Sequence, residues 1–232
     1  MMETWNLLAF EVIPYLCLTT FAVGHLYRYF TDPFRWNAHS SEILEKGSLK
    51  YASHLFHWGV ILTFFGHAGG LLIPQSIFDA AGIDGSAHTR ISIYLGAPFG
   101  LAAFLGILFL TWRRLAKERV WMVTSVKDWV TLLLLLEVIG MGTYNVLFGG
   151  YYILDTVAPW IRSIVVLSPN PALMKDVPPT YQAHILGAFI LFAFSPFSRL
   201  VHIWSVPLGY LFRRYLLHRQ WDAEKGLNVF EK

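Results

Sequence analysis

The sequence is poor in charge and nearly without cysteine. Charged residues fill 14% of its 232 positions, against about 25% in a soluble domain. The single cysteine, Cys17, excludes an internal disulfide and a thiolate-held iron–sulphur cluster. No basic region precedes the first apolar run, and that run is longer than the core of a cleavable leader. It is therefore expected to stay as a first membrane span. No element that reads DNA or RNA is visible, so no nucleic-acid partner is expected. The net charge of +3 points to membrane topology and anionic lipid instead.

What is abundant is apolar. Hydrophobic residues reach 55%, with 18 Phe, 11 Tyr and 9 Trp, and Trp and Tyr gather where hydrocarbon meets water. A span needs about 20 mostly apolar residues. Five stretches qualify: Trp5 to Leu26, Ala52 to Ile73, Ile91 to Trp112, Trp129 to Phe148 and Tyr181 to Trp204. The expected fold is all-α, an integral membrane bundle of five transmembrane helices. It forms one domain over residues 1–232, multi-pass in the cell inner (cytoplasmic) membrane. The remainder is short loops and a charged tail, which leaves no room for a catalytic domain outside the membrane.

Basic residues mark cytoplasmic loops. Fourteen of the eighteen lie in alternate connections and the tail: Arg28, Arg35, Lys46 and Lys50; then Arg113, Arg114, Lys117, Arg119 and Lys127; then Arg213, Arg214, Arg219, Lys225 and Lys232. The opposite side carries only Arg90, Arg162 and Lys175. The N-terminus is therefore expected outside and the C-terminus in the cytoplasm. The long fourth connection holds Pro159, Pro169, Pro171, Pro178 and Pro179. Its aromatic part, Tyr151 to Val166, suits either a helix lying along the outer surface or a proline-studded loop with one short helix.

Four of the nine histidines lie inside segments two and five: His57, His67, His184 and His202. Ionisable groups inside a membrane are costly and usually have a task, and imidazoles in pairs ligate haem iron. Segment two runs outward and segment five runs back. His57 and His202 then share the inner side, and His67 and His184 the outer side. This pairing suits two haems between the same two helices. The spacings differ: ten residues make about 15 Å of helix and eighteen about 27 Å. Pro196 can kink segment five and absorb part of that difference. His54 stands three residues before His57, on nearly the same face, so it remains an alternative ligand on geometry alone. Gly59, Gly66, Gly69 and Gly70 crowd the ligands of segment two, and Gly187 follows His184. Glycine lets a backbone approach a flat ring or another helix.

The same residues carry a likeness. The segment Ala52-Ser-His-Leu-Phe-His-Trp-Gly-Val-Ile-Leu-Thr-Phe-Phe-Gly-His67 and the segment Phe197-Ser-Arg-Leu-Val-His-Ile-Trp-Ser-Val-Pro207 resemble the second and fifth helices of the gamma subunit of respiratory nitrate reductase, a dihaem cytochrome b. Phe10-Glu-Val-Ile-Pro-Tyr15, Trp36-Asn-Ala-His-Ser-Ser41 and Gly47 match too. The resemblance implies that His57 and His202 ligate an inner haem b, and His67 and His184 an outer one. The family has no histidine where His54 stands, which favours His57. Arg90 falls where the family has a lysine associated with quinol binding. Quinol is expected to dock near the outer haem, beside His67, Gly66 and Arg90.

The function that the resemblance implies is quinol oxidation, with protons released outside. Electrons pass from menaquinol or ubiquinol through two b haems to a cytoplasmic iron–sulphur (beta) subunit. The chain has no equipment for reducing nitrate, and the resemblance implies that this belongs to a molybdenum-containing (alpha) partner subunit. The tail, 207–232, is expected to contact those partners. Arg199 or Arg35 is a candidate for pairing with haem propionates. Glu137, in mid-segment four, suits a neutral acid bonded to a neighbour or a proton route, the structural role being favoured. His25 is expected at the interface, and His39, His88 and His218 in loops or the tail. Two rivals are a dihaem subunit of another quinone-linked reductase and a haem-free transporter or anchor. The second gives no reason for paired histidines at two depths.

Overall fold

The computed structural model describes residues 2–32, 36 and 41–205, and the backbone of 219–222 and 227–230. Five helices are long and apolar enough to cross a membrane. Four of them are α1 (Glu3–Thr31), α2 (Gly47–Leu72), α3 (Gly85–Ala116) and α4 (Val126–Gly149). A short helix, α5 (Val157–Val165), precedes the fifth, α6 (Pro179–Phe194). The chain falls into two compact units, Met1–His202 and Ile203–Lys232. In the second, β1 (Arg219–Asp222) pairs antiparallel with β2 (Leu227–Phe230), Trp221 opposite Asn228. These two strands are the described part of the expected tail; the rest of the described secondary structure is helical, as expected.

The helices run past the apolar windows because polar residues cap them. Asp84 accepts from the Ala87 amide at 2.7 Å and starts α3 six residues before Ile91. Ser125 and Asp128 form a reciprocal capping box at the start of α4. Large side chains such as Leu16, Trp58, Phe65 and Leu133 stay more than half exposed, as expected where lipid replaces water around the bundle.

The membrane-length helices pack as an arc in the order α1, α6, α4, α3, α2. The α2–α3 contact is the broadest. It depends on glycine: a methyl on Gly59 would lie 2.8 Å from the Ala103 Cα, and one on Gly106 would lie 2.6 Å from the Phe56 Cα. Gly59 thus serves helix packing. A methyl on Gly66 or Gly69 would meet nothing within 4 Å.

Proline shapes two places. Pro14 has no N–H for the Phe10 carbonyl one turn earlier, and the chain widens into a π-helical turn over Leu8–Val12. The stranded carbonyl accepts the Trp160 indole N–H at 2.9 Å, which pins α5 across α1. The Tyr151–Val166 stretch is thus a loop with one short helix whose apolar face is buried. Pro196 ends α6 at Phe194, short of the expected Trp204. The chain continues as short 3₁₀ turns, Ser195–Phe197 and Arg199–Ile203, separated by an extended Ser198. Ser195 Oγ donates to the Phe192 carbonyl (2.8 Å), Ser198 Oγ to the Ser195 carbonyl (3.1 Å), and Arg28 to the Pro196 carbonyl (2.6 Å). The break is therefore satisfied by hydrogen bonds. It also removes the mismatch between ligand spacings, because His184 and His202 do not share one continuous helix.

Candidate functional site

The four intramembrane histidines meet in two pairs. The His57 and His202 ring centroids are 6.0 Å apart, with planes at 66°. Those of His67 and His184 are also 6.0 Å apart, with planes at 33°. Yet α2 shares no broad packing surface with α6 or its 3₁₀ continuation. His54 turns its Nδ1 to the Lys50 carbonyl at 2.6 Å, and the ring beside His202 is that of His57.

Each ring is held in the same way. Nδ1 contacts a backbone carbonyl: Ser53 for His57 (2.7 Å), Thr63 for His67 (2.8 Å), Val138 for His184 (2.8 Å) and Arg199 for His202 (2.7 Å). A carbonyl only accepts, so Nδ1 carries the proton and Nε2 keeps its lone pair. That is the arrangement found at metal-ligating histidines. Among the described residues no three His, Cys, Asp or Glu side chains converge on one metal position. Two imidazoles suit an iron whose remaining ligands arrive with it, as in haem. The spacing fits as well. A metal–imidazole bond of about 2 Å on each side, plus about 1 Å to each ring centre, puts the centroids about 6 Å apart.

Around the pairs, Gly142 of α4 makes room for His184, and Gly187 of α6 makes room for Glu137. The Glu137 Oε2 is buried without a hydrogen-bond partner among the described residues. The expected bond to a neighbour is not formed by that oxygen, and the carboxyl instead packs on the Gly187 backbone. Arg199 donates to Asp128 at 2.6 Å, with Arg114 3.9 Å away on the other carboxylate oxygen. Its described partner is therefore a carboxylate of this chain. Arg35, His39 and His218 lie outside the described residues, as does the tail apart from its two strands.

At the His67 end, Arg90 is exposed and Gly66 borders open space. Among the described residues no hydrogen bond or ion pair joins Arg90 to His67. Arg90 instead helps to hold the Asp84 carboxyl below its usual range, after the Ala87 amide and the Ser86 hydroxyl. His88 is not in a loop: it lies in the first turn of α3 and is buried. Arg162 of α5 donates to the Leu71 carbonyl at 3.1 Å, closing the π-helical turn Ala68–Leu72 that follows His67. Neither residue stood out in the sequence, where Arg162 was one loop charge among several. His25 sits between Ser195 Oγ at 3.3 Å and the Trp36 indole at 3.4 Å.

A family model described as nitrate reductase gamma subunit matches residues 6–221. The nitrate reductase gamma chain of Bacillus subtilis is 41% identical over 213 residues, covering 90% of this chain and 96% of that protein. The respiratory nitrate reductase 2 gamma chain of Escherichia coli is 30% identical, covering 94% and 99%. The nitrate reductase-like protein NarX of Mycobacterium tuberculosis is 39% identical over 91% of this chain, which spans 33% of NarX. With five membrane-length helices and likeness over nearly its whole length, the chain is a multi-pass membrane protein that belongs to the nitrate reductase gamma subunit family.

Proposed function

We propose that this chain is the quinol-oxidising dihaem cytochrome b subunit of a membrane-bound respiratory nitrate reductase. In this reading the N-terminus faces outside and the C-terminus the cytoplasm. The observation that carries the proposal is the meeting of two imidazole pairs at two depths, each ring with Nδ1 on a backbone carbonyl.

His57 and His202 hold the haem b nearer the cytoplasm, and His67 and His184 the one nearer the outside. Bound there, haem b supplies reversible one-electron chemistry. The carbonyl bonds hold the proton on Nδ1, fix the tautomer and raise the basicity of each imidazole as a ligand. Arg90, Gly66 and His67 border the quinol site. Glycine admits the flat head group, and the Arg90 guanidinium stabilises charge on a deprotonating hydroxyl. Protons leave to the outside, and electrons pass inward to an iron–sulphur (beta) subunit and then a molybdenum-containing (alpha) subunit. The tail, 207–232, contacts those partners. Nitrate is reduced in the alpha subunit and not in this chain.

The test is reduction of the intact complex by menaquinol or ubiquinol, followed optically, then addition of nitrate. The proposal predicts b-type spectra that appear with quinol and vanish with nitrate. Spectra reduced by quinol but indifferent to nitrate would move the chain to another reductase, and a haem-free complex would overturn the reading.

A further inference from the structure

The His67 end holds a third imidazole, one that the haem reading does not use. His88 is 5% exposed. Its ring lies 4.3 Å from that of Phe78, at 32°, and its Nδ1 is 3.2 Å from the Gln75 Oε1. The Gln75 amide nitrogen donates to Asp79 Oδ1 at 2.9 Å and to the Ile83 carbonyl at 3.3 Å. Both partners are acceptors, so the amide has one sensible orientation and its oxygen must accept. His88 therefore donates from Nδ1, and its lone pair lies on Nε2.

That Nε2 faces α2. A methyl on Gly70 would sit 3.4 Å from it. Gly70 lies in the π-helical turn directly after His67, and Gly66 and Gly69 beside it border open space. A built base thus stands one turn from an outer-side ligand. We infer that His88 accepts the protons of the quinol at the His67–His184 end. The inference rests on the quinol-oxidising reading above. A hydroquinone would give one proton to His88 Nε2, and a haem held by the His67–His184 pair would supply the one-electron acceptor for its two electrons. His88 passes the proton to water and accepts the second, so each turnover converts hydroquinone to quinone with two protons and two electrons released. The charged and titratable groups around it are Asp79 through Gln75, Asp84 and Arg90 at the start of α3, and Arg162 on Leu71, with His67 one turn before Gly70 along α2.

The test is His88→Gln in the intact complex, which keeps a hydrogen-bonding side chain but no basic nitrogen. Haem content and reduction by dithionite should be unchanged. Reduction by quinol should slow by about 10² or more, the usual share of a positioned base. The wild type should lose rate at acid pH, where imidazole takes up its proton, and the variant should lack that limb. Wild-type rate and an unchanged pH profile in a haem-replete His88→Gln would overturn the inference. If His88→Gln loses haem, Gln75→Met, which frees the His88 tautomer, decides the question. Slower quinol reduction there supports the role, and an unchanged rate overturns it. A wild type reduced by dithionite but never by quinol would instead sink the reading beneath it.

Discussion

Gly142 of α4 and His184 of α6 face each other so closely that a methyl on Gly142 would lie 2.8 Å from the imidazole Cε1 and 3.1 Å from Nδ1. The same Nδ1 is tied to the Val138 carbonyl, one turn earlier on α4. One helix therefore both anchors the ring and limits its position. Gly142→Ala is expected to push His184 off its carbonyl and to weaken haem at the His67–His184 pair. Haem content should fall from two towards one per chain, with the His57–His202 signal retained. Gly96→Ala, whose methyl would meet Val146 at an ordinary 3.6 Å, should leave both.

Asp128 links the other pair to the bundle. Its carboxylate binds Arg199 Nε at 2.6 Å, and the Arg199 carbonyl accepts from His202. Asp128→Asn leaves Arg114 and Arg199 without their countercharge. Breaking a fully buried pair costs about 3–5 kcal/mol; with the Arg199 side chain 34% exposed, about 2 kcal/mol is expected after solvent screening. A lower melting temperature in detergent, with a shift confined to the His57–His202 haem in redox titration, is the predicted result.

Trp160 isolates one hydrogen bond. The ring packs edge-on to Phe10 and Phe189, and its N–H serves the carbonyl stranded by Pro14. Trp160→Phe keeps most of the packing and leaves a buried carbonyl unpaired, at a cost of about 1–3 kcal/mol. Thermal unfolding should register that loss, and Trp160→Ala should lose more.

Glu45 supplies a pH dependence. Bonds from Ser48 and from the Arg113 guanidinium, which is 2.7 Å away, lower its carboxyl from the usual 4.5 to about 2. A carboxyl depressed in the folded state stabilises above its unfolded pKa and loses that contribution as pH falls. Stability from this contact should be level above about pH 5 and decline between 4.5 and about 2. Glu45→Gln should flatten that part of a melting-temperature profile.

Much of this was legible in the sequence. Hydropathy located the five membrane-length helices because lipid-facing residues such as Leu16 and Leu133 set their middles, and topology brought His57 to the side of His202. The helix ends were not legible, since capping by Asp84 and Ser125 acts outside the apolar window. Segment five was read too long because hydropathy does not register the missing N–H of Pro196. The π-helical turns leave no periodic signature. His88 looked like a loop residue because its burial comes from Gln75 and Phe78, on a separate short helix.

Haem b counted per chain by pyridine haemochrome, in four single His→Ala variants of the purified complex, tests the central claim most directly. Two haems are expected per wild-type chain. His57→Ala and His202→Ala should lose one haem, and His67→Ala and His184→Ala the other, distinguished by midpoint potential. A well-folded wild type without haem, or partners that remove different haems, would contradict it.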